Sequence, residues 1–147
     1  MEFRRFQPDD HAELRQMIFQ LYEEDPDGEP ISDEKIARTI SELSRHPQKG
    51  RLMVFVEAGE IVGYSILINY WSNEFGGNVL NIDELFVKEA WRSRGIGSRF
   101  IDSLCVDTEN NAVALELEVN PSNHRARACY ERLGFESSDS LHLSRLI

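Results

Sequence analysis

A glycine-containing turn between a predicted strand and a predicted helix is the segment best suited to bind an anion. It reads Arg92-Ser93-Arg94-Gly95-Ile96-Gly97, and the helix continues from Ser98. The start of a helix carries unpaired backbone N–H groups and partial positive charge, so it binds phosphate groups well. A Gly-x-Gly pair also occurs in plain turns, and this segment lacks the remaining residues of a P-loop or of a dinucleotide-binding fingerprint. Taken alone, the turn leaves both interpretations open.

Two further pairs of residues have types and spacings suited to catalysis. Asp83 and Glu84 are adjacent carboxylates on the strand that leads to the turn. Neighbouring strand residues face opposite sides, so only one carboxylate should face a cleft unless a bulge intervenes. Asn123 and Tyr130 are seven residues apart, which places them on one helix face about two turns from each other.

The sequence predicts an α/β fold with one mixed sheet, which would position these residues. Apolar residues recur at helical spacing early in the chain, and alternating β-formers dominate from residue 51 onward. The predicted order is βααβββαβα followed by one more β. The predicted strands are 2–6, 52–57, 61–70, 79–87 and 112–120, and residues 58–60 are predicted to join the second and third as a hairpin. The predicted helices begin at residues 8, 33, 95 and 123, and Ser32 is the predicted N-cap of the second. The tail 135–147 is predicted as one or two strands.

Composition limits the function classes. The chain has 147 residues, which suits a single domain over residues 1–147. Its formal net charge of −10 argues against a nucleic-acid partner, since phosphate backbones need a basic face. No apolar run is long enough to span a bilayer, so we expect a cytoplasmic protein. The four histidines are scattered and predict no metal site, and Cys105 and Cys129 are expected to be buried packing residues.

Two blocks of the sequence resemble the GNAT superfamily of N-acetyltransferases. Residues 82–97 are similar to its acyl-CoA-binding motif, a strand followed by Gln/Arg-x-x-Gly-x-Gly/Ala. Residues 120–135 are similar to its second signature, an Asn and an Ala followed by an aromatic residue and Leu-Gly-Phe. The resemblance extends over essentially the whole chain and implies the acyl-CoA N-acyltransferase fold.

The resemblance implies acetyl-CoA as co-substrate. The backbone of Phe86 and Val87 would pair with the pantetheine arm, and strands 79–87 and 112–120 would separate to admit the thioester. Asn123 would contact the cofactor, or it would cap the last helix, or both. The remaining cofactor-binding residues implied by the motif are Arg92, Ser93, Arg94, Gly95, Ile96, Gly97 and Ser98.

The same resemblance suggests the catalytic groups. Tyr130 would protonate the leaving thiolate as general acid; the alternative is a core aromatic residue. Asp83 or Glu84 would act as base, in a pattern similar to that of polyamine and diamine acetyltransferases, although some members use water chains instead. Neither cysteine is expected to attack the thioester.

The acceptor is predicted to be a small cationic amine. An acidic run over residues 23–29 follows the first helix, and in this fold that region lines the acceptor cleft; a solvated loop is an equal alternative. Tyr70, Trp71 and Phe75 would supply an aromatic wall, pack under the loop, or form the face of a homodimer. The competing functions are a non-catalytic acyl-CoA-binding module, nucleotide binding through the glycine turn, and acetylation of an amino acid or a protein N-terminus.

Overall fold

Five strands and four helices form the protein in the predicted order. The computed structural model describes residues 1–147, except for the side chain of Asn110. The elements are β1 (Glu2–Arg5), α1 (His11–Glu24), α2 (Asp33–Arg45), β2 (Gly50–Glu57), β3 (Glu60–Ser72), β4 (Gly77–Val87), α3 (Ile96–Val106), β5 (Ala112–Leu117) and α4 (His124–Arg132). The predicted order βααβββαβα is therefore confirmed.

The strands form one sheet in the order β1-β2-β3-β4-β5. The first four pair antiparallel with their neighbours, and β5 lies parallel to β4. The predicted hairpin between β2 and β3 is present and turns at Ala58 and Gly59, which both have positive φ. Two consecutive residues of this kind match the right-handed twist of the strands that they join.

Helices cover both faces of the sheet and form a core on each. On one face, α1 and α2 bury Leu14, Met17 and Ile36 against Tyr64 and Phe86. The other core packs α3, and behind it α4, against the opposite side of the strands. Among the described residues, no helix is long and apolar enough to cross a membrane.

The segment after α4 corrects the sequence analysis. Residues 135–147 form no strand, so the prediction of a final strand was wrong. Alternation of apolar and polar residues makes a segment compatible with a sheet, but a strand also needs a partner for its backbone. Leu141 and Leu143 are each 86% exposed, and the tail pairs with no strand of the described chain. Strand β5 is also shorter than predicted, because it ends at Leu117.

The cysteines are also less enclosed than expected. Cys105 is exposed and Cys129 is half-buried, so the prediction of two buried packing residues was wrong. Cys105 lies in the last turn of α3, where Val106 is 79% exposed as well. Leu104 in the same turn is 5% exposed, so this turn packs on the core through Leu104 while Cys105 and Val106 face outward.

Candidate active site

Strands β4 and β5 separate halfway along β4. Their parallel pairing runs from Asn78 opposite Ala112 to Ile82 opposite Leu117 and stops there. Strand β4 continues to Val87, so the backbone of residues 83–87 has no strand on that side. Strand β5 itself ends at Leu117, so the open edge is present as predicted, whereas the separation of two continuing strands stays a prediction. An open strand edge of this kind can pair with an extended chain that carries amide groups.

The glycine turn lies directly beyond this open edge. Gly95 has φ 72° and precedes the first residue of α3, Ile96, which is buried in the core. Ser93 also has positive φ, at 65°. A Cβ built on Gly95 would meet nothing within 4 Å, so glycine is favoured there by backbone conformation rather than by lack of space. The first backbone hydrogen bond of α3 runs from the N–H of Arg99 to the carbonyl of Gly95, so the N–H groups of residues 96–98 precede the helical ladder.

Three arginines surround the turn. The guanidinium of Arg94 stacks over Trp91, 4.8 Å from the ring centroid. Arg125, in the first turn of α4, donates a hydrogen bond to the Ser93 hydroxyl. With Arg92, these side chains add positive charge to a helix start, a combination that suits a pyrophosphate or phosphate group.

Arg92 links the turn to helix α1. Its Nε donates to the carbonyl of Val87 at 2.8 Å, and its terminal nitrogen contacts both carboxylate oxygens of Glu24 at 2.7 and 2.9 Å. The guanidinium also lies 5.3 Å from the ring centroid of Phe86. Glu24, a residue of the acidic run, therefore contacts the glycine turn.

Helix α4 carries the second predicted group of residues. Asn123 caps this helix, because its side-chain oxygen accepts from the backbone N–H of Ala126 at 3.1 Å. Cys129 Sγ lies 3.7 Å from Ser98 Oγ and so connects α4 to the start of α3. Tyr130 is half-buried against Phe135. Burial, and then the neighbouring Cys129, raise the pKa of Tyr130, so its phenol stays protonated at neutral pH.

A β-bulge brings both carboxylates to the same side of β4. Ile66 lies opposite Glu84 and the next residue of β3 lies opposite Ile82, so Asp83 is the extra residue. Before the bulge Ile82 faces the α3 core, whereas after it Phe86 faces the α1 and α2 core. The bulge therefore reverses the face on which alternate side chains of β4 lie. As a result, both Asp83 and Glu84 lie in the cleft under α1 and α2.

Two tyrosines hold the Glu84 carboxylate. Tyr22 of α1 donates to Oε1 at 2.8 Å, and Tyr64 of β3 donates to Oε2 at 2.9 Å. Burial raises the pKa of Glu84, the two tyrosine hydrogen bonds oppose that shift, and nearby Asp83 adds to it. Partial burial, and then Glu118, also raise the pKa of Asp83. Both carboxyl groups are therefore better proton acceptors than free carboxylates.

The carboxylates line a cleft of about 710 Å³ between the helices and the sheet. Nine of its lining residues are leucine or isoleucine. Helices α1 and α2 supply Ile18, Ile36 and Ile40, and the sheet supplies Leu52, Ile66 and Ile68. This volume is typical of a site for a small molecule.

Two groups of residues proposed for the acceptor side lie elsewhere. None of the acidic residues in 23–29 is among those lining the cleft. Tyr70, Trp71 and Phe75 are also absent from its lining, and Trp71 is 71% exposed. Tyr70 instead donates a hydrogen bond to Glu116 of β5, which raises the pKa of this tyrosine to about 12.

A comparison of the sequence with protein families agrees with the geometry of this site. A model described as the acetyltransferase (GNAT) family matches residues 13–135, which contain the cleft, the open strand edge, the turn and α4. The chain belongs to the GNAT acetyltransferase family.

Curated relatives of this GNAT chain share only part of their length with it. Aminoglycoside N(6')-acetyltransferase type 1 from Klebsiella pneumoniae is 28% identical over 87 residues, covering 53% of this chain and 43% of the relative. The uncharacterized N-acetyltransferase YhfO of Bacillus subtilis is 30% identical over 87 residues, covering 58% of each. The chain thus spans about half the length of the curated relatives it matches.

Solved structures share the fold over the whole chain. A possible acetyltransferase from Clostridium difficile 630 superposes with a TM-score of 0.81 at 24% identity, covering 99% of this chain and 97% of that one. An aminoglycoside acetyltransferase from an uncultured soil metagenomic sample gives 0.74 at 15% identity, covering 99% and 95%. At these identities the likeness shows the fold alone.

Three residues of the candidate site were missed by the sequence analysis, since Tyr22 and Tyr64 hold Glu84 and Arg125 contacts the turn. A fourth, Glu24, was predicted on the acceptor side as part of the acidic run, but it pairs with Arg92. Arg125 lies two residues after Asn123 in a basic stretch, which was a usable signal for an anion site. The tyrosines gave no such signal, because they are distant in sequence from each other and from Glu84.

Proposed function

We propose that this GNAT protein is an N-acetyltransferase that moves an acetyl group from acetyl-CoA to the primary amine of a small cationic acceptor. The observation that carries the proposal is the bulge at Asp83. It places exposed Asp83 and half-buried Glu84 in one open cleft, on the strand whose edge towards β5 is free for the acyl donor after Ile82.

The residues present fit acetyl-CoA. The N–H groups at the start of α3, with Ser93, Ile96 and Ser98, would hold its pyrophosphate together with Arg92, Arg94 and Arg125. The pantetheine arm would pair with the open backbone at Phe86 and Val87. Asn123 would act by fixing the start of α4 beside the donor. When bound, acetyl-CoA supplies a thioester with a reactive carbonyl carbon and a thiolate leaving group.

Glu84 would act as the base. A primary ammonium has a pKa near 10.4, and each unit costs about 1.36 kcal/mol, so deprotonation at neutral pH costs roughly 4–5 kcal/mol. Glu84 would take this proton while Tyr22 and Tyr64 fix the carboxylate. Asp83, the other carboxylate of the bulge, would hold the ammonium as it arrives.

The transfer is direct in this proposal. The neutral amine attacks the carbonyl carbon, the N–C bond forms and the C–S bond breaks. Tyr130 gives its proton to the departing thiolate and then regains one from solvent. The net products are the acetylated amine, free CoA thiol and one proton.

A panel of amines tests the proposal. The protein is incubated with acetyl-CoA and with alkylamines, diamines, an aminoglycoside, amino acids and a short peptide, while free thiol is followed and the products are identified by mass spectrometry. Amine-dependent thiol release with an acetylated product is expected. If acetyl-CoA binds but no amine is acetylated, the protein is instead a non-catalytic acyl-CoA-binding module. Preference for amino acids or the peptide would replace the small cationic amine as acceptor.

A further inference from the structure

We infer that the acceptor is a primary amine on an apolar alkyl or arylalkyl body, with no second positive charge. This inference rests on the proposed function and specifies its acceptor. It differs from the prediction of a small amine with more than one positive charge, which rested on the net charge of −10, the acidic run of residues 23–29 and the pair Asp83 and Glu84.

The walls of the cleft provide the first argument. Half-buried Ile31 and Ile40 line the cleft from the α2 side and half-buried Ile68 lines it from β3, so an acceptor lies against aliphatic side chains. Ile18, Ile36 and Ile66 also line the cleft, but they are at most 5% exposed and offer little surface. Burial of apolar surface stabilises a bound ligand in proportion to the area covered. A charged or hydroxylated body would lose hydration wherever it lies against these aliphatic side chains.

The arrangement of charge provides the second argument. Asp83 and Glu84 are adjacent, so they form one anionic position in the cleft. Among the described residues, the only other carboxylate in the lining is Glu42, which pairs with Lys49 at 2.6 Å. One ammonium is therefore accommodated beside the bulge, and a second would have no free carboxylate in the lining.

Two cationic side chains of α2 would also repel a second positive charge on the acceptor. Lys35 and Arg38 both line the cleft. Arg38 pairs with Glu34 at 2.7 Å, whereas Lys35 donates to the carbonyl of Pro30 and forms no ion pair among the described residues. Like charges at this wall would repel the far end of a diamine.

Matched substrates test the inference. Hexylamine and hexamethylenediamine have the same chain and differ by one terminal ammonium. We expect kcat/KM to be at least tenfold higher for hexylamine, and to rise about three- to fourfold per methylene along the alkylamine series until the cleft is filled. Equal or better turnover of the diamine would overturn the inference while leaving acetyl transfer intact. Absence of turnover with every amine would overturn the proposed function itself.

A matched pair of variants shows whether the aliphatic wall is responsible. Ile68→Thr changes a residue of β3 that lines the cleft, whereas Ile61→Thr makes the same change on β3 outside it. We expect Ile68→Thr to raise KM for hexylamine about three- to tenfold and to leave KM for acetyl-CoA unchanged, with Ile61→Thr altering neither. Equal effects of the two variants on KM for hexylamine would contradict the assignment of this wall to the acceptor.

Discussion

At the scale of single residues, Tyr130 is the group through which the leaving thiolate would be protonated. Its ring packs against Phe135, and Tyr130→Phe retains that packing. We expect kcat to fall by about 10²–10³, as for loss of a positioned general acid. The dissociation constant for acetyl-CoA, measured by calorimetry, should stay the same. Unchanged kcat with the preferred amine would reduce Tyr130 to a packing role.

Tyr22 positions the proposed base, and its removal should be visible in the pH profile. Its hydrogen bond lowers the pKa of Glu84 against the larger raising effect of burial. Tyr22→Phe removes that bond, so the pKa of Glu84 rises and less of the carboxylate is ionised at a given pH. We expect the acidic limb of the kcat profile to move to higher pH.

Tyr70→Phe serves as the control for this shift. Tyr70 also donates to a carboxylate, that of Glu116, but lies outside the cleft. Its removal should leave the acidic limb unmoved. A profile for Tyr22→Phe that coincides with the wild type would show that Glu84 is not the titrating base.

Residues at the bulge also show what sequence can and cannot specify. The pair Asp83 and Glu84 could be recognised as a candidate site, and a bulge was named as the condition for both to share a cleft. Whether that bulge exists depends on how β3 pairs with β4, and Ser65 supports it by donating to the Glu84 carbonyl at 2.8 Å. Such cross-strand contacts are not encoded in local periodicity.

At the scale of elements, the end of α1 contacts the glycine turn through the ion pair between Glu24 and Arg92. Because Glu24 holds the Arg92 guanidinium, it competes with phosphate groups for that cation. We expect Glu24→Gln to lower KM for acetyl-CoA by up to about fivefold, the range of an exposed ion pair. KM for the amine should not change. The control is Asp27→Asn, which changes another residue of the acidic run and should alter neither KM. A higher KM for the amine in Glu24→Gln would return the acidic run to the acceptor side.

The start of α3 can be tested without disturbing the fold. A Cβ at Gly97 would meet only Leu85, at 3.8 Å, so the helix itself has room for a side chain. The motif that this segment resembles accepts glycine or alanine at this position. We expect Gly97→Ala to retain the increase in Tm caused by acetyl-CoA and Gly97→Val to lose most of it, while ATP and NAD cause no increase in any form.

Retention of the acetyl-CoA shift by Gly97→Val would place the pyrophosphate elsewhere. The Tm of the unliganded variants is the control, because both should melt close to the wild type.

Elements with a clear period were predicted well, whereas the chain end was not. The amphipathic helices, the β2–β3 hairpin and the cap at Ser32 follow from local chemistry, and the structure has each of them. The tail has the alternation of a strand but no partner in the described structure, because pairing is a property of two segments. The 710 Å³ cleft could not be predicted for the same reason, because its aliphatic walls come from helices and strands that are distant in sequence.

At the scale of the whole molecule, the net charge and the charge of the cleft differ. The value of −10 arises largely from residues outside the cleft, whose lining combines aliphatic side chains with charges of both signs. Net charge affects solubility and encounter rates more than the composition of a site. The predicted homodimer and the cytoplasmic location stay predictions.

The central claim is that β4 holds both substrates at once, with the donor on its open edge and the amine at its bulge, and that the acetyl group passes directly between them. Cys129 gives the claim its sharpest rival, because it is half-buried beside Tyr130 and contacts Ser98, so an acetyl-cysteine intermediate has a defined place. The decisive measurement is the initial rate with both substrates varied together. Direct transfer predicts intersecting double-reciprocal lines and no mass increase of the protein with acetyl-CoA alone, whereas parallel lines with an acetylated Cys129 would contradict it.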